Sequence, residues 1–139
     1  MSQNSPEPKR RKILVVDDRE GMLIGTIKLL NEHYPQAEIA TAKTVQDALR
    51  QLQESQPDLA IMDLALPETS GGEAKVEHGI KSLETLFKKY TTLNLSVQSS
   101  YVKSLVRVKS YIDTHEGGFT VADKGLSSQE LLRRIDWAL

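Results

Sequence analysis

The sequence predicts a parallel α/β domain: one open, doubly wound sheet of five strands with helices on both faces. Three observations predict it. Short apolar, strand-like runs alternate with longer segments of helical periodicity five times over. Two of the runs, Ile13-Leu14-Val15-Val16 and Leu59-Ala60-Ile61-Met62, are continuously apolar, as suits strands buried on both sides. Both of these end abruptly at acids, Asp17-Asp18 and Asp63.

The elements follow in order. After the first strand, Met22, Leu23, Ile27 and Leu30 fall at helical spacing until His33-Tyr34-Pro35 closes the segment. Residues 37–42 form a short second strand. Thr44 with Asp47 resembles a capping box, and Val45, Ala48, Leu49 and Leu52 make one apolar face behind it. Ser55-Gln56-Pro57-Asp58 stops that helix ahead of the third strand. A long Gly-containing loop is expected from Leu66 to Gly79, followed by a helix on Ile80, Leu83, Leu86, Phe87 and Tyr90. Residues 93–97 form a fourth strand that alternates, with Asn94 and Ser96 where a central parallel strand is normally apolar; Gln98 continues the pattern. Val102, Leu105, Val106, Lys109 and Ile112 mark a fourth helix, with Lys109 at its rim. Gly117-Gly118 turns into a fifth strand, residues 119–122, where the short run to Lys124 calls for a bulge or a shifted Gly. Ser127 and Glu130 form a second capping box before Leu131, Ile135 and Leu139.

Composition bounds the function. The 139 residues hold 18 Lys+Arg, 19 Asp+Glu and no Cys, for a net charge of −1. A disulfide scaffold, a thiolate metal site and a cysteine nucleophile are therefore excluded. No apolar run approaches the roughly 20 residues that cross a bilayer, and no secretory signal pattern opens the chain. Near-neutrality argues against a whole-surface nucleic-acid binder. The average conceals a division: residues 1–12 carry Lys9, Arg10, Arg11 and Lys12 against Glu7, or +3, which leaves −4 for the remainder. Residues 1–11 read as a flexible basic tail and 12–139 as the folded domain.

In open parallel sheets the active crevice lies at the carboxyl ends of the strands, beside the topological switch point. With strand order 2-1-3-4-5, Asp17, Asp18 and Asp63 meet there, near Ser99 after the fourth strand and Lys124 after the fifth. Folding alone does not favour three carboxylates together; a divalent cation with oxygen-only ligands and places for water, Mg²⁺, would relieve their repulsion. One carboxylate could then attack a phosphodonor, since carboxylates form acyl-phosphate intermediates and phosphoryl transfer depends mainly on positioning and charge neutralisation. His33, His78 and His115 lack ligand spacing and read as structural. Gly71-Gly72 with Lys75 lacks the sequence of a phosphate-binding loop.

These residues, in this order, resemble the receiver domain of two-component response regulators, the chemotaxis-regulator-like, flavodoxin-like (βα)5 fold. The motifs are residues 13–18, Leu59-Ala60-Ile61-Met62-Asp63-Leu64-Ala65-Leu66-Pro67, Ser99-Ser100 and Lys124-Gly125-Leu126-Ser127. The resemblance implies that Asp63 is the phosphoacceptor and that Asp18 binds Mg²⁺ directly. Asp17 would bind it directly or through water, and the Ala65 backbone carbonyl would be a further ligand. Ser99 would be the switch hydroxyl, with Ser100 its competitor in register; Lys124 would be the family's lysine and Phe119 its switch aromatic.

The implied chemistry is self-catalysed phosphoryl transfer with slow autodephosphorylation, in a signalling domain of the cytoplasm rather than a turnover enzyme. The implied partners are a histidine kinase or phosphotransfer protein, a second copy through the face of helix 4, strand 5 and helix 5, and, unless the receiver stands alone, a C-terminal, DNA-binding output domain. Against the common receiver pattern the loop after Pro67 is about eight residues long in excess, and loops of that kind are functional or disordered. A phosphorylation-independent adaptor docking through that loop is the alternative. An Asp-based phosphohydrolase fits less well, because its two acids are separated by one intervening residue whereas Asp17 and Asp18 are adjacent.

Overall fold

A computed structural model describes residues 11–123 and 126–139. The strands are β1 (Lys12–Val16), β2 (Glu38–Ala42), β3 (Leu59–Met62), β4 (Asn94–Gln98) and β5 (Phe119–Ala122). They form one parallel sheet in the order β2-β1-β3-β4-β5. The helices are α1 (Glu20–His33), α2 (Val45–Ser55), α3 (Val76–Lys89), α4 (Lys109–Thr114) and α5 (Ser128–Ala138).

Strand alternation divides the core in two. Leu14, Val16, Ala60, Met62, Leu95 and Val97 pack with α2, α3 and the fourth helical segment. Ile13, Val15, Leu59 and Ile61 pack with Leu23 and Leu30 of α1 and Ile135 and Ala138 of α5. The central strands are thus apolar on both sides, as their sequence required.

Asn94 and Ser96 of β4 each meet a specific neighbour, whereas the buried Gln98 Nε2 has no hydrogen-bond partner among the described residues. Asn94 donates to the Asp58 carbonyl (3.0 Å) and accepts from the Gly118 N–H (2.8 Å), tying β4 to the flanking strands. Ser96 is fully buried, with Thr120 Oγ1 3.2 Å from its hydroxyl; Thr120 in turn donates to the Arg134 carbonyl of α5 (2.9 Å). β5 needs no bulge: it pairs in unbroken register from Leu95↔Phe119 to Gln98↔Ala122.

Two expected elements differ. Instead of one fourth helix, Val102–Val108 is a 3-10 helix that passes into the short α4. The loop after Pro67 also ends sooner, because α3 begins at Val76. Two backbone hydrogen bonds between Leu66 and Lys75 (3.1 and 3.3 Å) pinch the loop shut at its base, and a turn at Thr69–Gly72 with Gly71 at φ 82° closes its tip. The Pro67 and Glu68 carbonyls accept the N–H groups of Val45 and Gln46, both at 3.0 Å. The loop therefore satisfies two of the donors that the start of α2 cannot pair internally.

Candidate functional site

The parallel register brings the ends of β1 and β3 side by side. The Asp17 N–H donates to the Ala42 carbonyl (3.1 Å) and the Asp63 N–H to that of Val16 (3.0 Å), so both acids leave the sheet at one level. Asp17 is 8% exposed and Asp63 4%, while Asp18 is half-buried. One carboxylate oxygen from each of the three lies within 4.8 Å of the others. At that separation two unit charges repel by about 3 kcal/mol at an effective dielectric of 20. The cluster is the carboxylate crevice that the strand order implied.

The Asp63 carboxylate is held asymmetrically. Its Oδ1 accepts from the backbone N–H groups of Leu64 (2.7 Å) and Ala65 (3.4 Å), and the Ser99 hydroxyl also donates to the carboxylate. Burial, with Asp17 close by, pushes the Asp63 carboxyl above the ordinary carboxylate range; the three hydrogen bonds pull downward and are outweighed. Ser99 is fully buried just beyond β4, its N–H on the Ala122 carbonyl (3.1 Å) and its Oγ accepting from the Tyr101 N–H (3.0 Å). Ser100 is exposed in the following turn. Ser99 rather than Ser100 thus stands against Asp63. Ala65 is half-buried at the same mouth. Lys124 lies outside the described residues, as do residues 1–10 of the basic tail.

Phe119 is not brought there. It opens β5 at the level of Leu95, four residues before Ser99 in the neighbouring strand, and its ring packs on Phe87 at 5.7 Å. The three histidines each hold a structural contact: His78 with the Leu66 carbonyl (2.7 Å), His115 with the Leu93 carbonyl (2.6 Å) and His33 with Asp136 (3.4 Å).

One charged neighbour was missed in sequence. Arg19 reaches back over the crevice, with Nε 3.6 Å from Asp17 Oδ1 and Nη2 3.7 Å from Asp63 Oδ2. The only signal available was its place directly after the acidic pair, and an arginine there reads equally well as a solvated helix start.

The donor set fits a hard divalent cation. It is made of oxygens alone, as Mg²⁺ prefers, and brings one carboxylate oxygen from each of three residues within 4.8 Å of the others. Asp17, Asp18 and Asp63 are the side chains that would hold it.

Residues 13–136 match the response regulator receiver domain family. The chain is 25% identical over 123 residues to the transcriptional regulatory protein LnrK of Bacillus subtilis (strain 168), covering 79% of this chain and 56% of that protein. It is 34% identical over 90 residues to the transcriptional activator protein ExaE of Pseudomonas putida, covering 63% and 42%. It thus spans about half the length of the curated relatives it matches. In fold it is similar to a CheY-like response regulator receiver domain protein from Methanospirillum hungatei JF-1, with TM-score 0.71, 23% identity and 92% of each chain covered. A family match that runs from β1 into α5 takes in both acidic strand ends and Ser99, and on that ground the chain belongs to the receiver domains of two-component response regulators.

Proposed function

We propose that Asp63 accepts a phosphoryl group from a histidine kinase or phosphotransfer protein and that the modified domain changes a protein-interaction surface. The observation that carries this reading is the Asp63 carboxylate itself. Oδ1 is engaged by two backbone N–H groups, which orients the side chain, and Oδ2 is the oxygen turned toward Arg19. Burial beside Asp17 makes this carboxylate more basic and so a better nucleophile than an exposed one.

In the proposed step Oδ2 attacks phosphorus. The new O–P bond forms as the donor's P–N bond breaks, and the electron pair leaves with the imidazole nitrogen, which takes up a proton. The product is a mixed anhydride on Asp63, lost slowly to water. Mg²⁺, held by Asp18, Asp17, Asp63 and the Ala65 carbonyl, would supply charge neutralisation on the phosphoryl oxygens. The Ser99 hydroxyl would transfer its hydrogen bond from the carboxylate to the phosphoryl group, and Lys124 would pair with a further oxygen. Phe119 packs on Phe87 at the start of β5.

Receiver domains of transcriptional regulators are signalling domains rather than classical enzymes, and the likeness to LnrK and ExaE supports a DNA-binding output domain as the partner in cis. A homodimer through the 3-10 helix Val102–Val108, α4, β5 and α5 is the proposed assembly, supported by the exposed Val106 and Trp137 and the half-buried edge strand. No helix among the described residues is long and apolar enough to cross a membrane, and the cytoplasm is the proposed location.

The test is intact-mass spectrometry after incubation with a small phosphodonor and Mg²⁺. The wild-type chain is expected to gain one phosphoryl group and Asp63→Asn none. A wild-type chain that binds Mg²⁺ yet stays unlabelled overturns the proposal.

A further inference from the structure

Arg19 occupies a position that suits the crevice better than it suits its own helix. It is the N-cap of α1 and its side chain makes no capping hydrogen bond. Thr44 and Ser127, at the same position in α2 and α5, each accept a backbone N–H. An arginine there forgoes the cap and sets a positive charge at the positive end of the helix dipole. Lys75, the basic N-cap of α3, directs its ammonium to Glu73 in solvent instead. Arg19 spans two of the three clustered carboxylates, at 3.6 and 3.7 Å. Those distances are ion pairs rather than hydrogen bonds, and with the side chain 52% exposed the arm can swing out without disturbing the core.

We infer that Arg19 is a built-in competitor of the divalent cation. In the metal-free domain it offsets part of the carboxylate repulsion; metal binding displaces it, because a divalent ion on the same two carboxylates would lie within a few ångströms of the guanidinium. Arg19 thereby raises the Mg²⁺ concentration at which the crevice fills. This inference rests on the reading of Asp17, Asp18 and Asp63 as a Mg²⁺ site. It does not depend on phosphorylation.

Isothermal titration of Mg²⁺ into the unphosphorylated wild-type, Arg19→Gln and Arg19→Lys chains tests it. Gln removes the charge and shortens the arm while staying polar, and the Arg19 backbone N–H bond to Asp17 (3.0 Å) survives either substitution. Arg19→Gln is expected to tighten Mg²⁺ binding about three- to tenfold, the size that two half-exposed ion pairs allow. Lys, which keeps the charge and loses the two-pronged reach, is expected to fall between. A second readout separates competition from a structural role: the rise in thermal midpoint on adding Mg²⁺ should be larger for Arg19→Gln than for the wild type. Equal affinity in the wild type and Arg19→Gln, or weaker binding in Arg19→Gln, overturns the inference and leaves the metal site standing. Absence of Mg²⁺ binding in all three chains overturns the metal site and the inference together.

Discussion

Asp63 combines deep burial with a neighbouring carboxylate, and both disfavour its charged form. Its carboxyl is therefore raised above the ordinary value of 3.8 in the folded chain. Between 3.8 and the raised value the folded state binds more protons than the unfolded one, so this group's contribution to stability falls as pH rises through that interval. The metal-free wild-type chain is expected to show that loss in urea titrations across the acidic range, and Asp63→Asn to lack it. At neutral pH without divalent cation, Asp63→Asn should be more stable by on the order of 1 kcal/mol, since the amide oxygen still accepts from Leu64 and Ala65 while the repulsion with Asp17 disappears. A less stable Asp63→Asn chain would show that the Asp63 charge is already fully compensated. Ser99 is the other residue of consequence at this scale. Its Oγ joins the Asp63 carboxylate to the Tyr101 N–H, so a change at Asp63 reaches the start of the next element through one atom.

That element is the 3-10 helix Val102–Val108, seven residues long, where runs beyond about four are uncommon because the hydrogen-bond geometry is poorer. It is fastened from outside. Arg107 donates through both Nη atoms to the Glu77 carboxylate (2.6 and 2.7 Å), joining this segment to the first turn of α3. The pair is exposed, so its removal is expected to alter local opening more than global stability. Hydrogen exchange of residues 102–114 should quicken in Glu77→Ala, with the rest of the chain unchanged; uniform protection would refute the fastening. Elsewhere the elements hold by ordinary means. Thr44 accepts from the Asp47 N–H (3.0 Å), and Thr44→Ala should cost about 1 kcal/mol in urea denaturation. The Pro67 and Glu68 carbonyls at the same helix start make the enlarged loop a support for α2.

At the scale of the molecule, two glycines show how tightly the layers close. A Cβ on Gly79 would stand 2.0 Å from the Leu64 carbonyl oxygen, and one on Gly118 2.1 Å from that of Ala138. The first contact seats α3 against the segment that follows Asp63, and the second seats the end of α5 against β5. Gly79→Ala is expected to destabilise by about 3 kcal/mol or more, since backbone rather than a movable side chain must yield. Gly25, within α1, has no atom within 4 Å of such a Cβ. Gly25→Ala should instead stabilise by about 0.5–1 kcal/mol, because helix propensity is then the only term. Thermal melts of the two variants test whether close approach or propensity governs each position.

Much of the fold was legible because burial writes itself into local pattern. Continuous apolar runs marked β1 and β3 as strands covered on both faces, helical spacing marked α1, α2, α3 and α5, and Ser/Thr at helix starts marked two caps that form. The gathering of Asp17, Asp18 and Asp63 was legible too, since a parallel sheet of this order leaves its strand ends no other place. The polar side of β4 was not, because Asn94 and Ser96 answer groups on or just before the neighbouring strands: Asp58, Gly118 and Thr120. The 3-10 geometry of residues 102–108 was hidden as well, for i,i+3 apolar spacing serves either helix. The location of Phe119 awaited the register of β5 against β4. Arg19 shows the division most clearly. From the order of residues one reads that a positive charge follows two negative ones; it takes the packing of β3 beside β1 to bring that charge to Asp63 as well, because Coulomb attraction depends on distance through space and not along the chain.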